Sequence, residues 1–320
     1  MKPNFRSALA LLFFCVAIFV LPLVLGGFWI RAFTSAAIFA LAAAGVGLVY
    51  AQLGLINLSQ IALIGVGGWI ALRLNFATDL PVFLLVVIAG LGTSALGALF
   101  ALPALRLRGL YLALVTLMVA ATFQILFNAF QFPNGGSGFW GVAQQSGQAM
   151  RRPSIATSDA AYLAFSMVWL ALGLLLIEAH KRSAPGRAWK MIRMSEANAM
   201  AAGINVTWFK IWAFALSGFL AGTAGALLAG ALRQLDARSF TAIEGVLLFA
   251  LAVVGGVYSW VGAVLAGVLY KLLPALLNNL GVTSDLALIV FGVALLHAIM
   301  TAPRGIAGQF EALFQRKDKA

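Results

Sequence analysis

Uncharged apolar runs of about twenty residues recur down this chain, the first being ALALLFFCVAIFVLPLVLGG at residues 8–27. An α-helix rises about 1.5 Å per residue, so about 20 residues cover the roughly 30 Å hydrocarbon core of a bilayer. On that ruler the sequence predicts ten spanning helices, near 8–27, 32–51, 55–74, 80–102, 109–131, 160–178, 209–231, 243–258, 261–279 and 285–301. Only 9% of the 320 residues are charged, against about 25% in a soluble domain, which excludes a water-soluble fold. The expected fold class is an all-α polytopic membrane protein with about ten transmembrane helices. The first apolar run exceeds the roughly 7–15 residue core of a cleaved signal, and no A-x-A site follows it, so it is expected to stay as the first span.

Charge placement predicts an orientation. With the N-terminus in the cytoplasm, 14 of the 21 Lys and Arg residues fall inside, 6 fall outside, and Lys271 lies within a span. The positive-inside rule favours this arrangement over its inverse, so both termini are expected in the cytoplasm. Two polar stretches then separate. Residues 132–159, rich in Gly, Ser and Gln, make an outer loop, and residues 180–208 make a basic cytoplasmic segment. Within that segment Ser195 suits a helix N-cap, Glu196 the first turn and Gly203 the residue just past the last turn. A single permease-like domain over 1–320 is expected, packed in lipid, with no nucleic-acid partner despite the net charge of +12.

The sequence carries little catalytic chemistry. Cys15 is the only cysteine, and His180 and His297 are the only histidines. No metal site, cofactor or catalytic residue is expected, because no H-E-x-x-H, Ser-His-Asp or Cys-His pattern occurs. A phosphate-cradling G-x-x-x-x-G-K-[ST] is likewise missing, so any ATP chemistry belongs to another chain.

Neutral polar residues on spans are the candidates for a solute path. Gln124, Asn128 and Gln131 are spaced i, i+4 and i+7, one face of the fifth expected helix. Asn57, Ser59 and Gln60 follow Gly54 at the expected cytoplasmic start of the third, where they suit a broken helix or an inner gate. Gly65, Gly67, Gly68, Gly218, Gly222 and Gly225 read as close helix packing. Lys271 is the one basic side chain well inside a span, which suits either function or snorkelling. Glu244 opens the eighth expected span, where a helix N-terminus favours a negative charge.

Particular strings carry a family resemblance. SAPGRAWKMIRMSEANAMAAGINVTWFKIWAFALSGFLAGTAGALLAG (183–230), GLVYAQLGLINLSQIALIGVGGWIA (47–71), LRLRGLYLALVTLMVA (105–120), IEGVLLFALAVVGGVYSWVGAVLAG (243–267) and APRGIAG (302–308) all occur along the chain. Together they resemble the branched-chain amino acid permeases of ABC importers, specifically the M-type membrane subunit. The resemblance implies a type II-like importer permease fold in a bacterial inner membrane. It implies two ATPase subunits, a second and different permease chain, and a periplasmic solute-binding protein. It also makes 195–203 a coupling helix that docks on the ATPase through Glu196, Ala197, Ala201 and Gly203. There small residues allow a close approach and Glu196 offers an acceptor for a cation on the partner. Relatives usually carry a Ser followed by Gly-His where this chain has Asn57, Ser59 and Gln60, and a Thr-Gly-Gly form where it has NGGSGFWG. The solute is therefore open between branched-chain amino acids, similar small amino acids, and urea or short amides. A passive channel for a small neutral solute is the alternative of another class.

Overall fold

A computed structural model of the chain describes residues 24–136 and 149–281, with Val20, residues 292–293 and residues 305–309. The expected spans near 8–27 and 285–301 fall almost wholly outside the described residues, as do Cys15 and His297.

Every regular element among the described residues is helical. In chain order they are α1 (Gly27–Leu53), α2 (Gln60–Ala77), α3 (Val82–Phe100), α4 (Gly109–Phe130) and α5 (Asp159–Arg182). There follow α6 (Ala184–Met194), α7 (Glu196–Ala201), α8 (Val206–Leu232), α9 (Ala242–Gly255) and α10 (Trp260–Asn279), the last containing a π-helical turn at Val268–Leu272. Seven of these, α1 to α5, α8 and α10, are long and apolar enough to cross a bilayer. The eighth expected span is corrected to α9, whose 14 residues reach only about 21 Å. The described residues thus contain seven spanning helices where eight of the ten expected spans would lie.

The third expected span is also corrected, because helix begins at Gln60 rather than at residue 55. Gly54 closes α1 with φ of 71°, in the left-handed region that a side chain resists. Asn57 Oδ1 then accepts from the Ser59 amide at 3.0 Å and the Ser59 hydroxyl at 2.6 Å. Such local side-chain bonds compete with helix and hold 55–59 irregular. The segment turns back alongside α1. Gln60 Nε2 donates to the carbonyls of Ala42 at 3.2 Å and Ser217 at 3.3 Å. Ala42 precedes the end of α1 by eleven residues, so Gln60 sits about 16 Å in from that end.

The second half repeats this device in the opposite direction. α1 and α8 are both 27 residues long. The start of α1 and the end of α8 lie together: Arg31 pairs with Asp159, which pairs with Arg152, which donates to the carbonyls of Gly230 and Ala231. The two helices therefore run antiparallel. Arg233, with φ of 64°, ends α8 as Gly54 ends α1, and an irregular return leads to α9. The amide of Ala242 reaches Gln124 Oε1 at 2.9 Å, which places the start of α9 beside the last two turns of α4.

Small residues set the core spacing. α1 and α8 are buried along most of their length, whereas α4 and α5 show more than half of theirs. A Cβ on Gly67 would lie 2.4 Å from Cα of Gly222, and one on Gly222 would lie 2.5 Å from Thr93 Oγ1. α2, α3 and α8 approach so closely because no side chain stands between them.

Candidate functional site

The end of the molecule opposite Arg31 and Asp159 is built around residues 183–210. α6 buries Gly186, Ala188, Trp189 and Ile192 and leaves Arg187 and Lys190 exposed. The buried side packs with Leu48, Val49, Leu53, Ala101, Ala104 and Leu112, and Trp189 Nε1 donates to the carbonyl of Phe209 at 2.8 Å. Arg193 donates to the carbonyls of Tyr50 and Ala51 at the end of α1, and to the Tyr258 hydroxyl. A cation on the last carbonyls of a helix satisfies acceptors the helix itself cannot.

α7 follows, and its ends match the sequence signals. The Ser195 hydroxyl accepts from the Asn198 amide at 3.3 Å. Gly203, at φ of 78°, sends its amide to Met200 while the Ile204 amide reaches Ala199, the paired bonds of a Schellman stop. Only Ala199 of α7 is buried. Met194, Ala197, Met200 and Ala201 are exposed beside one another, and the two methionines are 86% and 59% exposed.

Glu196 points the other way from what the resemblance implies. Its Oε1 lies 2.8 Å from Lys210 Nζ and its Oε2 lies 2.6 Å from an Arg108 nitrogen. Lys210 also donates to the carbonyl of Ala104 at 3.0 Å. The carboxylate is thus engaged by two cations of its own chain, where the resemblance implies a cation on a partner. The exposed faces of Ala197 and Ala201, together with the sharp stop at Gly203, remain free to approach another surface. Lys210 and Arg108 were missed because the sequence shows them only as cytoplasmic charges. One signal was available: Glu196 is the only acid between Glu178 and Asp236, in a run dense with cations.

The polar candidates within the spans divide. Asn57, Ser59 and Gln60 are 2%, 0% and 0% exposed, packed inside the chain where α2 begins. Gln60 ties α1 to α8, helped by the Ser217 hydroxyl, which donates to Gly45 and Gln60. Asn57 Nδ2 is buried without a partner among the described residues. On α4, Asn128 Nδ2 donates to the Gln124 carbonyl and Gln131 Nε2 to the Asn128 carbonyl, each at 2.8 Å. Asn128 and Gln131 are exposed, Gln124 is half-buried, and Gln131 sits just past the helix with φ of 58°.

Lys271 lies over two aromatic rings. Its Nζ lies 4.6 Å from the ring of Phe39 and 4.8 Å from that of Tyr270, an electrostatic resting place for a cation. The Tyr270 hydroxyl donates to Glu244. Among the described residues no group of three or more His, Cys, Asp or Glu could hold a metal ion.

The profile described as branched-chain amino acid transport system, permease component, matches residues 28–299. The chain is 27% identical over 291 residues to a high-affinity branched-chain amino acid transport system permease protein of Salmonella typhimurium, covering 81% of this chain and 68% of that one. It is 27% identical over 290 residues to the protein of that description in Escherichia coli, with the same coverage. It is 32% identical over 143 residues to a ribose import permease protein of Bacillus subtilis, covering 43% of this chain and 42% of the relative. No solved structure matches the chain.

Proposed function

The chain belongs to the branched-chain amino acid transport permease family, and on that premise we propose that it imports branched-chain or similar small amino acids into the cytoplasm by alternating access, driven by ATP. It is a non-enzymatic, multi-pass membrane subunit of an ABC transporter, a family whose permeases work with ATPase subunits and solute-binding proteins. In this reading the chain is one permease domain, and a second, different permease chain completes the path. A periplasmic solute-binding protein delivers the solute at the end that carries Arg31 and Arg152. Both termini face the cytoplasm of a bacterial cell, as the balance of Lys and Arg favours.

The observation that carries the reading is α7. A six-residue helix that buries one side chain gains little stability from its own packing. It is nonetheless capped at both ends, braced by α6, and shows an apolar face of Met194, Ala197, Met200 and Ala201 on the more basic end of the molecule. Flexible methionines and small alanines suit a surface that stays in contact with a moving partner. We assign ATPase docking to Ala197, Ala201 and Gly203, with Glu196 holding the helix in place from behind. ATP-driven closure of the ATPases would move α7 and rock the spans between outward and inward openings. Asn128 and Gln131 on the exposed face of α4, with Gln124 beneath them, are assigned to the solute path. Asn57, Ser59 and Gln60 are assigned to the gate as the break in the second span rather than as wetted groups.

Reconstitution of the complex purified through a tag on this chain tests the reading. Vesicles supplied with the solute-binding protein and labelled leucine should accumulate leucine only with ATP inside. Placing a charge on the docking face by Ala201→Glu should release the ATPase while the permease still purifies folded. Leucine entry that runs downhill and ignores ATP would sink the importer reading in favour of a channel.

A further inference from the structure

Lys210 is a cation without access to water. It lies one turn into α8 with its side chain 2% exposed, and its Nζ touches Glu196 at 2.8 Å and the Ala104 carbonyl at 3.0 Å. Ala104 belongs to the 3-10 turn Pro103–Leu105, which joins α3 to α4. Arg108, the residue just before α4, meets the same carboxylate at 2.6 Å. One acid on the six-residue α7 is therefore held by the foot of α8 and by the foot of α4, and one ammonium joins α7 to the α3–α4 turn.

Building on the importer reading, we propose that Lys210 and Glu196 are the positioning pair through which displacement of α7 is passed to α8, with Arg108 passing the same displacement to α4. The physical reason is the asymmetry between keeping and breaking a buried ion pair. A buried ammonium that loses its counter-charge is strongly disfavoured, whereas moving both groups together costs little. Apolar packing cannot supply the same grip, since Ala199 is the only buried side chain of α7. When α7 shifts, Lys210 must follow or be stranded. It carries α8, the helix against which α1, α2 and α3 pack through Gly45, Gly67 and Gly97. The α6 contacts, Trp189 to Phe209 and Arg193 to Ala51, are independent of this pair and keep the segment folded when it is removed.

A double-mutant cycle in the reconstituted complex tests the proposal. Glu196→Gln, Lys210→Met and the two combined are compared for thermal stability in detergent, ATPase retention and labelled leucine accumulated per ATP hydrolysed. Each single change should leave the ATPase bound and lower leucine per ATP about tenfold, within the range of couplings between sites. The combined variant strands no buried charge, Arg108 being exposed, so it should regain thermal stability while leucine per ATP stays low. A merely structural role predicts that both recover together in the combined variant, and that result would overturn the proposal. Loss of the ATPase from the Glu196→Gln complex would overturn it as well, because it would make Glu196 a docking group. Uptake that ignores ATP in the unaltered complex would instead overturn the importer reading, and this inference with it.

Discussion

At Gln60 one amide side chain joins two helices far apart in sequence, taking the carbonyls of Ala42 and Ser217 and a bond from the Ser217 hydroxyl. Replacing it with leucine keeps the volume and removes those ties. Gln60→Leu should lower stability by roughly 1–2 kcal/mol, counting a lost amide bond and a polar group left without its partner. It should appear as a reduced thermal midpoint of the purified permease. Space rather than bonding decides Gly222, where a new methyl group would press on Thr93 and the Ala89 carbonyl. Gly222→Ala should cost about 1–3 kcal/mol through overpacking. Gly26→Ala, where nothing lies within 4 Å, should leave the midpoint unchanged. An equal loss at both sites would contradict the view that close contact sets the cost at Gly222.

The elements differ in how plainly their sequences announce them. α4 runs Gly109–Phe130 where the sequence predicts 109–131, because Arg108 bounds it below, a polar run bounds it above, and nothing between interrupts the apolar residues. Over 55–59 the same reasoning fails. Leu55, Ile56 and Leu58 keep the stretch apolar enough to count as span, while the bonds from Asn57 to Ser59 stop the helix from forming. Hydropathy averages over a window and does not register a two-residue turn. Asn57→Ala should therefore cost about 1 kcal/mol by removing that local acceptor, and it should favour helix over residues 55–59. Amide exchange that stays unchanged across this segment would contradict the turn's role. α9 falls short of a span because its first turn starts beside Gln124. That partner lies 118 residues away, and no local pattern reveals it. α7 was legible at both caps through Ser195 and Gly203, but the direction of Glu196 was not, since Arg108 and Lys210 meet it only in the folded chain.

Across the whole molecule, two antiparallel helices of equal length form the centre, and each hands the chain through a non-helical or 3-10 stretch to the next helix. Non-helical backbone within a membrane is tolerated where protein covers it, and it marks where a membrane protein can bend. Charged groups gather at the two ends: Arg31, Asp79, Arg151, Arg152 and Asp159 at one, and Arg108, Glu178, Lys181, Arg182, Glu196 and Lys210 at the other. A transporter of this design works only if the second end faces the ATP supply and is gripped there. The decisive measurement is disulfide or maleimide cross-linking from Ala201→Cys, in a Cys15→Ser background, on inside-out and right-side-out vesicles. The account predicts label from the cytoplasmic face alone and an adduct with a nucleotide-hydrolysing subunit. Label from the outer face, or no such adduct while uptake remains ATP-driven, would contradict it.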